Sequence, residues 1–289
     1  MFCKMNLEEL GYNSEFEKFR IDQNLELFER GRIIAEHKGR YIVGTEKGEF
    51  EAEITGNIRY AAGSREDFPV VGDWVSLVLY DAYFAIIHKI FPRFSVLKRQ
   101  AVGRAGEIQM IAANVNCAFI LQAVDRDFNL NRLERYLTIC YSSKISPVII
   151  MTKTDLTDRL RTNKIIEDIK QRLNNVPVIP LSNETRDGYE ALKDLILRGK
   201  TYCLLGSSGV GKSTLLNNLT GSTLMRTGAI SQSTNKGKHV TSHRELSVIE
   251  SGGILIDNPG MREVGIVDAA NGLETTFEYI VQLSLNCRF

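Results

Sequence analysis

Three things are scarce in this 289-residue chain: net charge, long apolar runs and cysteine. Its 36 basic and 35 acidic side chains leave +1 at pH 7. No global field therefore draws the chain to nucleic acid, and any such binding must rest on local patches. No apolar run approaches the ~18–20 residues of a membrane span, and the acidic N-terminus does not read as a signal peptide. The five cysteines (Cys3, Cys117, Cys140, Cys203, Cys287) are odd in number and scattered. That suggests free thiols in a reducing cytoplasm rather than a disulfide framework. No internal repeat or low-complexity segment stands out. What is present suffices for ordinary cores, with 43% hydrophobic residues, and the length allows two domains.

The stretch that organises the chain is Gly206-Ser207-Ser208-Gly209-Val210-Gly211-Lys212-Ser213, followed by Thr214. It has the G-x-x-x-x-G-K-S pattern of a phosphate-binding loop. An apolar run of strand length, residues 201–205, precedes it, and Leu215, Leu216 and Leu219 follow at helical spacing. The glycines let the backbone approach a polyphosphate. Loop N–H groups and the helix N-terminus then face negative charge. Lys212 is placed for the terminal phosphates and Ser213 for Mg²⁺.

Which base is bound must be read elsewhere. Downstream lies Asp257-Asn258-Pro259-Gly260, a D-x-x-G that reads as the switch sensing Mg²⁺ and the γ-phosphate. Asp257 is the metal-side candidate and Gly260 the phosphate-side one. After Gly260 only residues 261–289 remain. That is too short for further nucleotide-binding strands and helices, since one βαβ unit takes about 30 residues. The base site must then lie upstream, or there is none. There a buried-type strand, residues 146–151, ends in Thr152-Lys153-Thr154-Asp155, close to the N-K-x-D guanine motif. An aspartate can accept from guanine N1–H and the 2-amino group, and adenine would leave it unpaired. An Asp capping the following helix is the plain alternative. A second strand leads into Ser182-Asn183, where the last guanine-contacting loop is expected. The order is base site, base loop, phosphate loop, switch I, switch II, which is that of a circularly permuted GTPase.

With these motifs the chain resembles the RsgA/YjeQ family of ribosome-assembly GTPases. The matching stretches are residues 109–115 (QMIAANV), the T-K-T-D-L box, G-S-S-G-V-G-K-S-T-L-L-N, G-K-H-V-T-S and D-N-P-G-M-R-E. Three departures stand out: Thr152 for the usual Asn, Asn258 for the usual Thr, and an abrupt end. The resemblance implies a GTP/GDP site with Mg²⁺ and late action on the small ribosomal subunit and its rRNA. A cytoplasmic chain with no membrane contact, expected to be a monomer, fits that role. It also implies that Cys287, in Cys287-Arg288-Phe289, opens a zinc module whose other ligands do not follow here. A structural zinc site needs four ligands. We therefore expect no stoichiometric zinc, a truncated form of a longer protein, and poor anchoring of the residues after about Ile266.

The remaining stretches divide the chain. Residues 1–30 read as a lead-in with some helix. Residues 31–95 carry five short strands at 31–37, 40–45, 50–54, 74–80 and 83–91, with Phe50, Ala52 and Ile54 alternating against polar neighbours. They suggest an OB-like β-barrel, although an SH3-like barrel would read similarly. Residues 96–265 alternate strand and helix, as an α/β domain with a largely parallel sheet does, with helices near 129–143, 156–173 and 187–197. Residues 266–289 start a further module. Between 89 and 104 lie Lys89, Arg93, Lys98, Arg99 and Arg104 without an acid, and with Phe91 and Phe94 interleaved. They are candidate rRNA contacts, or simply a solvated linker.

Residues 221–244 occupy the switch I position. Thr241 is the candidate switch threonine for Mg²⁺, with Ser242 as its rival. The residue after D-x-x-G is Met261, and a thioether cannot orient the attacking water as glutamine does in Ras-like enzymes. His239 is the candidate to supply that group, as its counterpart does in the family; a surface-loop histidine is the alternative.

Overall fold

The computed structural model describes residues 6–37, 39–100, 108–125, 128–173, 176–221, 245–257 and 270–277. The lead-in carries helix α1 (Ser14–Asp22), which Asn13 caps by accepting from the N–H groups of Glu15 and Phe16. Phe16 is the buried residue of this helix and sets its ring against Trp74, Phe91 and Phe94. The lead-in is thus part of the main core, joined there by Leu7, Leu10 and Leu25.

Five strands follow: β1 (Glu29–His37), β2 (Arg40–Thr45), β3 (Gly48–Ile54), β4 (Trp74–Leu79) and β5 (Phe84–Ile90). Helix α2 (Gly56–Ala61) lies between β3 and β4. The strands run in the order β1-β2-β3-β5-β4, and β4 returns to pair with β1. The β3–β5 pairing is parallel and the rest antiparallel. This is a closed five-stranded barrel, as the alternation predicts. Alternation closes it from within: Phe50, Ala52 and Ile54 point to a core shared with Val43, Val75, Leu77 and Ile87.

A short antiparallel pair, β6 (Val96–Gln100) and β7 (Ile108–Ala113), leads into the α/β half. There β8 (Cys117–Ala123), α3 (Leu130–Ser142), β9 (Ser146–Thr152), α4 (Arg159–Arg172), β10 (Val178–Pro180), α5 (Tyr189–Asp194), β11 (Thr201–Leu205) and α6 (Lys212–Thr220) alternate. They are followed by β12 (Glu245–Val248), β13 (Ile254–Asp257) and α7 (Ala270–Thr276). The sheet order is β10-β9-β8-β11-β13-β12, parallel except where β12 runs against β13. Apolar strands such as Val148 to Met151 are buried on both faces, as a sheet covered by helices on both sides requires.

β12 also pairs with β1 through Ala35 and Glu245, so the barrel and the α/β half share one ladder. Arg32 strengthens that junction. It is 1% exposed and bonds the carbonyls of Leu10, Gly72 and Asn114 and the hydroxyl of Thr201. One side chain thereby ties lead-in, barrel and nucleotide half together. Asn114, from the QMIAANV stretch, adds bonds from Phe94 N–H and to the Gly72 carbonyl.

The expectation of poor anchoring after Ile266 needs correction for the helix at 270–276. α7 packs on α3, with Gly272 so close that a Cβ there would stand 2.3 Å from the Thr138 carbonyl oxygen. The hydroxyls of Thr138 and Thr276 meet at 3.1 Å. The helix finds its partner surface within the nucleotide half.

Candidate functional site

The site lies at the C-terminal ends of the parallel strands, where open α/β sheets bind ligands. β11 is buried throughout and delivers the chain into the loop at Gly206. Gly206 has φ +144, and a Cβ there would lie 2.5 Å from the Leu121 carbonyl oxygen. Gly211 has φ +97 and faces Asn183 Nδ2, which a Cβ would meet at 2.5 Å. Only glycine fits either place. Gly211 caps α6 without a side chain, and Ser213 and Thr214 stand exposed in the first turn. The helix start therefore presents N–H groups and a positive dipole end to an anion. Lys212 Nζ donates to the carbonyls of Gly206 at 2.7 Å and Ser207 at 2.5 Å. The ammonium is already folded over the loop it would serve.

Beside the loop stands the base end. Lys153 adopts φ 60, ψ 34, a left-handed turn that ends β9. Its ammonium pairs with Asp125 at 2.8 Å. Asp155 is exposed and receives a 2.5 Å bond on Oδ1 from the hydroxyl of Ser182, which is fully buried. The same Ser182 oxygen accepts from the N–H groups of Glu184 and Thr185. The two segments read from sequence as base-contacting do converge, and a serine fixes the carboxylate's orientation.

Thr152 ends β9 between the base end and the phosphate loop. It is fully buried, and its hydroxyl donates to the Val210 carbonyl at 2.7 Å. That bond fastens the base strand to the phosphate loop. Asn183 plays a similar part: its Nδ2 donates to the Gly211 carbonyl at 3.2 Å and its Oδ1 accepts from Tyr189 at 2.7 Å. Asn218 on α6 in turn donates to the Tyr189 hydroxyl at 2.7 Å. Tyr189 and Asn218 were not singled out from the sequence, because neither belongs to a nucleotide motif. The signal was available only in three dimensions.

Asp257 ends β13 opposite Glu245 in the ladder. Burial raises its carboxyl pKa, Lys212 opposes that rise and Glu245 adds to it. A hard divalent cation takes oxygen ligands. An exposed Ser213 hydroxyl and a carboxylate whose charge is disfavoured by burial and by a neighbouring acid are the donor set such a cation stabilises. Among the described residues no group of three or more His, Cys, Asp or Glu forms a metal cluster. Gly260, Thr241, His239, Arg104 and Cys287 lie outside the described residues.

Of the candidate RNA contacts, Arg93 is turned inward. It makes a two-bonded pair with the fully buried Asp73, both bonds 2.7 Å, and donates to the carbonyls of Glu66 and Phe68. Phe91 is likewise core, 2% exposed. Sequence reasoning took a charge run for a surface; one arginine and one aromatic of that run neutralise and fill the interior instead. Lys98 pairs with Glu66 at 2.7 Å, and Arg99 bonds Gln109 at 2.9 Å.

A parallel sheet carrying a glycine loop, a lysine over that loop and an aspartate-serine base end, with the base strands preceding the loop in the chain, defines a circularly permuted P-loop GTPase. Solved structures share the architecture. YloQ, described as a circularly permuted GTPase, superposes with TM-score 0.63 at 25% identity, covering 91% of this chain and 82% of that one. YjeQ from Thermotoga maritima gives 0.62 at 24%, covering 83% and 77%, a likeness of fold. The sequence profile of the RsgA GTPase family matches residues 90–267. This chain is 44% identical over 260 residues to small ribosomal subunit biogenesis GTPase RsgA 2 of Lactiplantibacillus plantarum, covering 90% of this chain and 72% of the relative. It is 40% identical over 280 residues to small ribosomal subunit biogenesis GTPase RsgA of Methanosarcina acetivorans, covering 96% and 74%. The chain belongs to the RsgA GTPase family.

Proposed function

We propose that this protein binds GTP with Mg²⁺, hydrolyses it to GDP and phosphate, and acts late in maturation of the small ribosomal subunit. The observation that carries the nucleotide reading is the tie between the two ends of the site. Asp155 and Ser182 form the base end, and Thr152 bonds that strand to the phosphate loop at Val210. Guanine at one end and phosphates at the other would then be held at a fixed span. Ser213, Asp257 and, by motif position, Thr241 would hold Mg²⁺, which when bound offsets charge on the phosphates. Lys212 and the loop N–H groups orient the terminal phosphates and stabilise charge there. His239 would orient or accept a proton from the attacking water, since Met261 cannot.

The ribosomal client is supported by the names of the relatives, which are small ribosomal subunit biogenesis GTPases. RNA contact is supported by the barrel, an architecture that often binds nucleic acid. Tyr60, Tyr80 and Tyr83 lie exposed on it, at 95%, 75% and 65%, and solvent-facing rings of this kind suit base stacking. With Arg93 engaged internally, Lys98 and Arg99 remain the basic candidates among the described residues, and Arg104 a candidate by sequence. Localisation in the cytoplasm and a monomeric state would be compatible with this role. Cys287 would be the first ligand of a zinc module.

Single-turnover hydrolysis with and without small ribosomal subunits tests the reading. Slow intrinsic release of phosphate, accelerated by subunits and not by large subunits, is the expected result. Tight GTP binding without turnover under either condition would instead make this an RNA-binding factor with a non-catalytic nucleotide site.

A further inference from the structure

Helix α3 begins beside the phosphate loop. Asn129 caps it, its side chain accepting from the N–H of Arg132, and its first turn holds no acidic residue. Arg132 therefore places a cation at the positive end of a helix dipole, where the helix itself gains nothing from it. Its Nη1 donates to the Ser207 hydroxyl at 3.2 Å. Lys212 donates to the carbonyl of the same Ser207 at 2.5 Å. Two cations from two different helices thus bracket one residue of the phosphate loop, beside the open N-terminus of α6.

We propose that Arg132 is an arginine supplied from within the chain to the transferring phosphoryl group. When GTP fills the loop, its guanidinium exchanges the Ser207 hydroxyl for phosphate oxygen. The inference rests on the hydrolytic reading above. In that reaction the water oxygen bonds to the γ-phosphorus, and the bond from phosphorus to the bridging oxygen breaks with its electron pair left on GDP. The water's proton passes to the base or to the phosphate released. Charge grows on the bridging and γ-oxygens as this happens, and a planar cation with several donors meets such charge well. The chemistry leaves room for it, since Met261 follows the D-x-x-G and carries no polar group.

α3 is also built to hold such a group still. Glu134 pairs with Arg172 of α4 at 2.7 Å, and Thr138 and Ser142 receive α7 at the far end. The helix is fixed along its length while its first turn points a charged side chain at the loop. A catalytic group needs that kind of support.

The test uses the full chain with Arg132→Ala, Arg132→Gln and Arg132→Lys. Three quantities are measured: single-turnover hydrolysis at saturating GTP, affinity for GDP, and affinity for GDP with aluminium fluoride, which imitates the transition state. Thermal midpoints check folding, and Arg132→Gln keeps a stem and a donor for Ser207. Loss of about 10²-fold in rate is expected for Ala and Gln. The aluminium fluoride complex should weaken by a similar factor, GDP affinity should change by less than about 3-fold, and Lys should recover part of the rate. Parent-like hydrolysis in Ala and Gln, or equal weakening of GDP with and without aluminium fluoride, would overturn the proposal. A parent chain that binds GTP but releases no phosphate would overturn the hydrolytic reading and this inference with it.

Discussion

The hydroxyl of Thr152, at the end of β9, donates to the carbonyl of Val210 in the phosphate loop at 2.7 Å, and both residues are buried. This one bond crosses from the strand that carries the base motif to the loop that carries the phosphates. From the end of the strand the Thr152 hydroxyl makes this tie, beside the bond from Asn183 Nδ2 to the Gly211 carbonyl. Thr152→Val keeps the shape and removes the donor, leaving a buried carbonyl unsatisfied. It should cost about 1–3 kcal/mol in denaturant unfolding. GTP affinity should fall with it, because the span between base end and loop loosens. Unchanged values for both would show that the bond is incidental.

Three cysteines give a second prediction. Cys140 and Cys203 are fully buried and Cys117 is half-buried. Burial raises all three thiol pKa values, Cys117 to about 12 against 9.0 unperturbed. Folded chains keep these protons where unfolded chains lose them. The stability so gained is full below pH 9 and is lost as pH rises from there toward the folded values. Unfolding free energy should therefore decline above about pH 9, the unperturbed thiol value. In a chain with Cys3 and Cys287 changed to serine, a thiol reagent at pH 8 should label almost nothing until denaturant is added. Rapid labelling of the native chain would contradict the burial.

How much of this was legible in the sequence depends on range. The phosphate loop, the T-K-T-D strand end and the barrel alternation are local patterns, and each stands where its pattern placed it. Asp155 and Ser182 are separated in sequence but lie just beyond the ends of the paired parallel strands β9 and β10, so strand order brought them together. What could not be read are pairings that no period encodes. Arg32 and Arg93 look like solvated cations in any window, yet the fold closes around both. Tyr189 and Asn218 carry no motif, and their role exists only because α5 and α6 flank the same loop. The bond from the Thr152 hydroxyl to the Val210 carbonyl is of the same kind, since no motif says which loop a strand-end hydroxyl meets.

Arg93 supplies a third prediction, one that separates a structural cation from an RNA contact. Its partner Asp73 is fully buried, and burial raises the carboxyl pKa against the lowering pull of Arg93. Arg93→Ala would leave that carboxylate buried with only the Val70 N–H bond and the nearby charge of Arg32 to offset the burial. Removing one partner of a buried pair costs about 3–5 kcal/mol. The loss should shrink on acidification. A carboxyl whose folded pKa is raised gives its stabilisation at low pH and loses it as pH rises, so protonating Asp73 relieves the variant. Melting Arg93→Ala at pH 7 and pH 5 checks this; a variant as stable as the parent at pH 7 would return Arg93 to the list of surface contacts.

The base end gives the last prediction. Asp155 is exposed at the mouth of the site, and Ser182 donates to Oδ1 at 2.5 Å, which leaves Oδ2 and the second lone pair of Oδ1 for a ligand. A carboxylate so fixed accepts from two donors on one edge of a base, and guanine offers them in its N1–H and 2-amino groups. Asp155→Asn replaces one acceptor oxygen with an N–H donor. The amide would face the 2-amino group donor to donor, and that clash should cost GTP about 10²-fold or more in affinity, as an unpaired polar contact in a specific site does. Xanthine carries a carbonyl where guanine carries the amine, so the same amide can donate to it, and xanthosine triphosphate should bind the variant better than it binds the parent. Ser182→Ala should weaken both nucleotides in the parent background by a smaller factor, because it removes the positioning bond and not the contact. Isothermal titration of the two nucleotides against the three proteins reads all of this at once. Equal GTP affinity in parent and Asp155→Asn would place the base elsewhere.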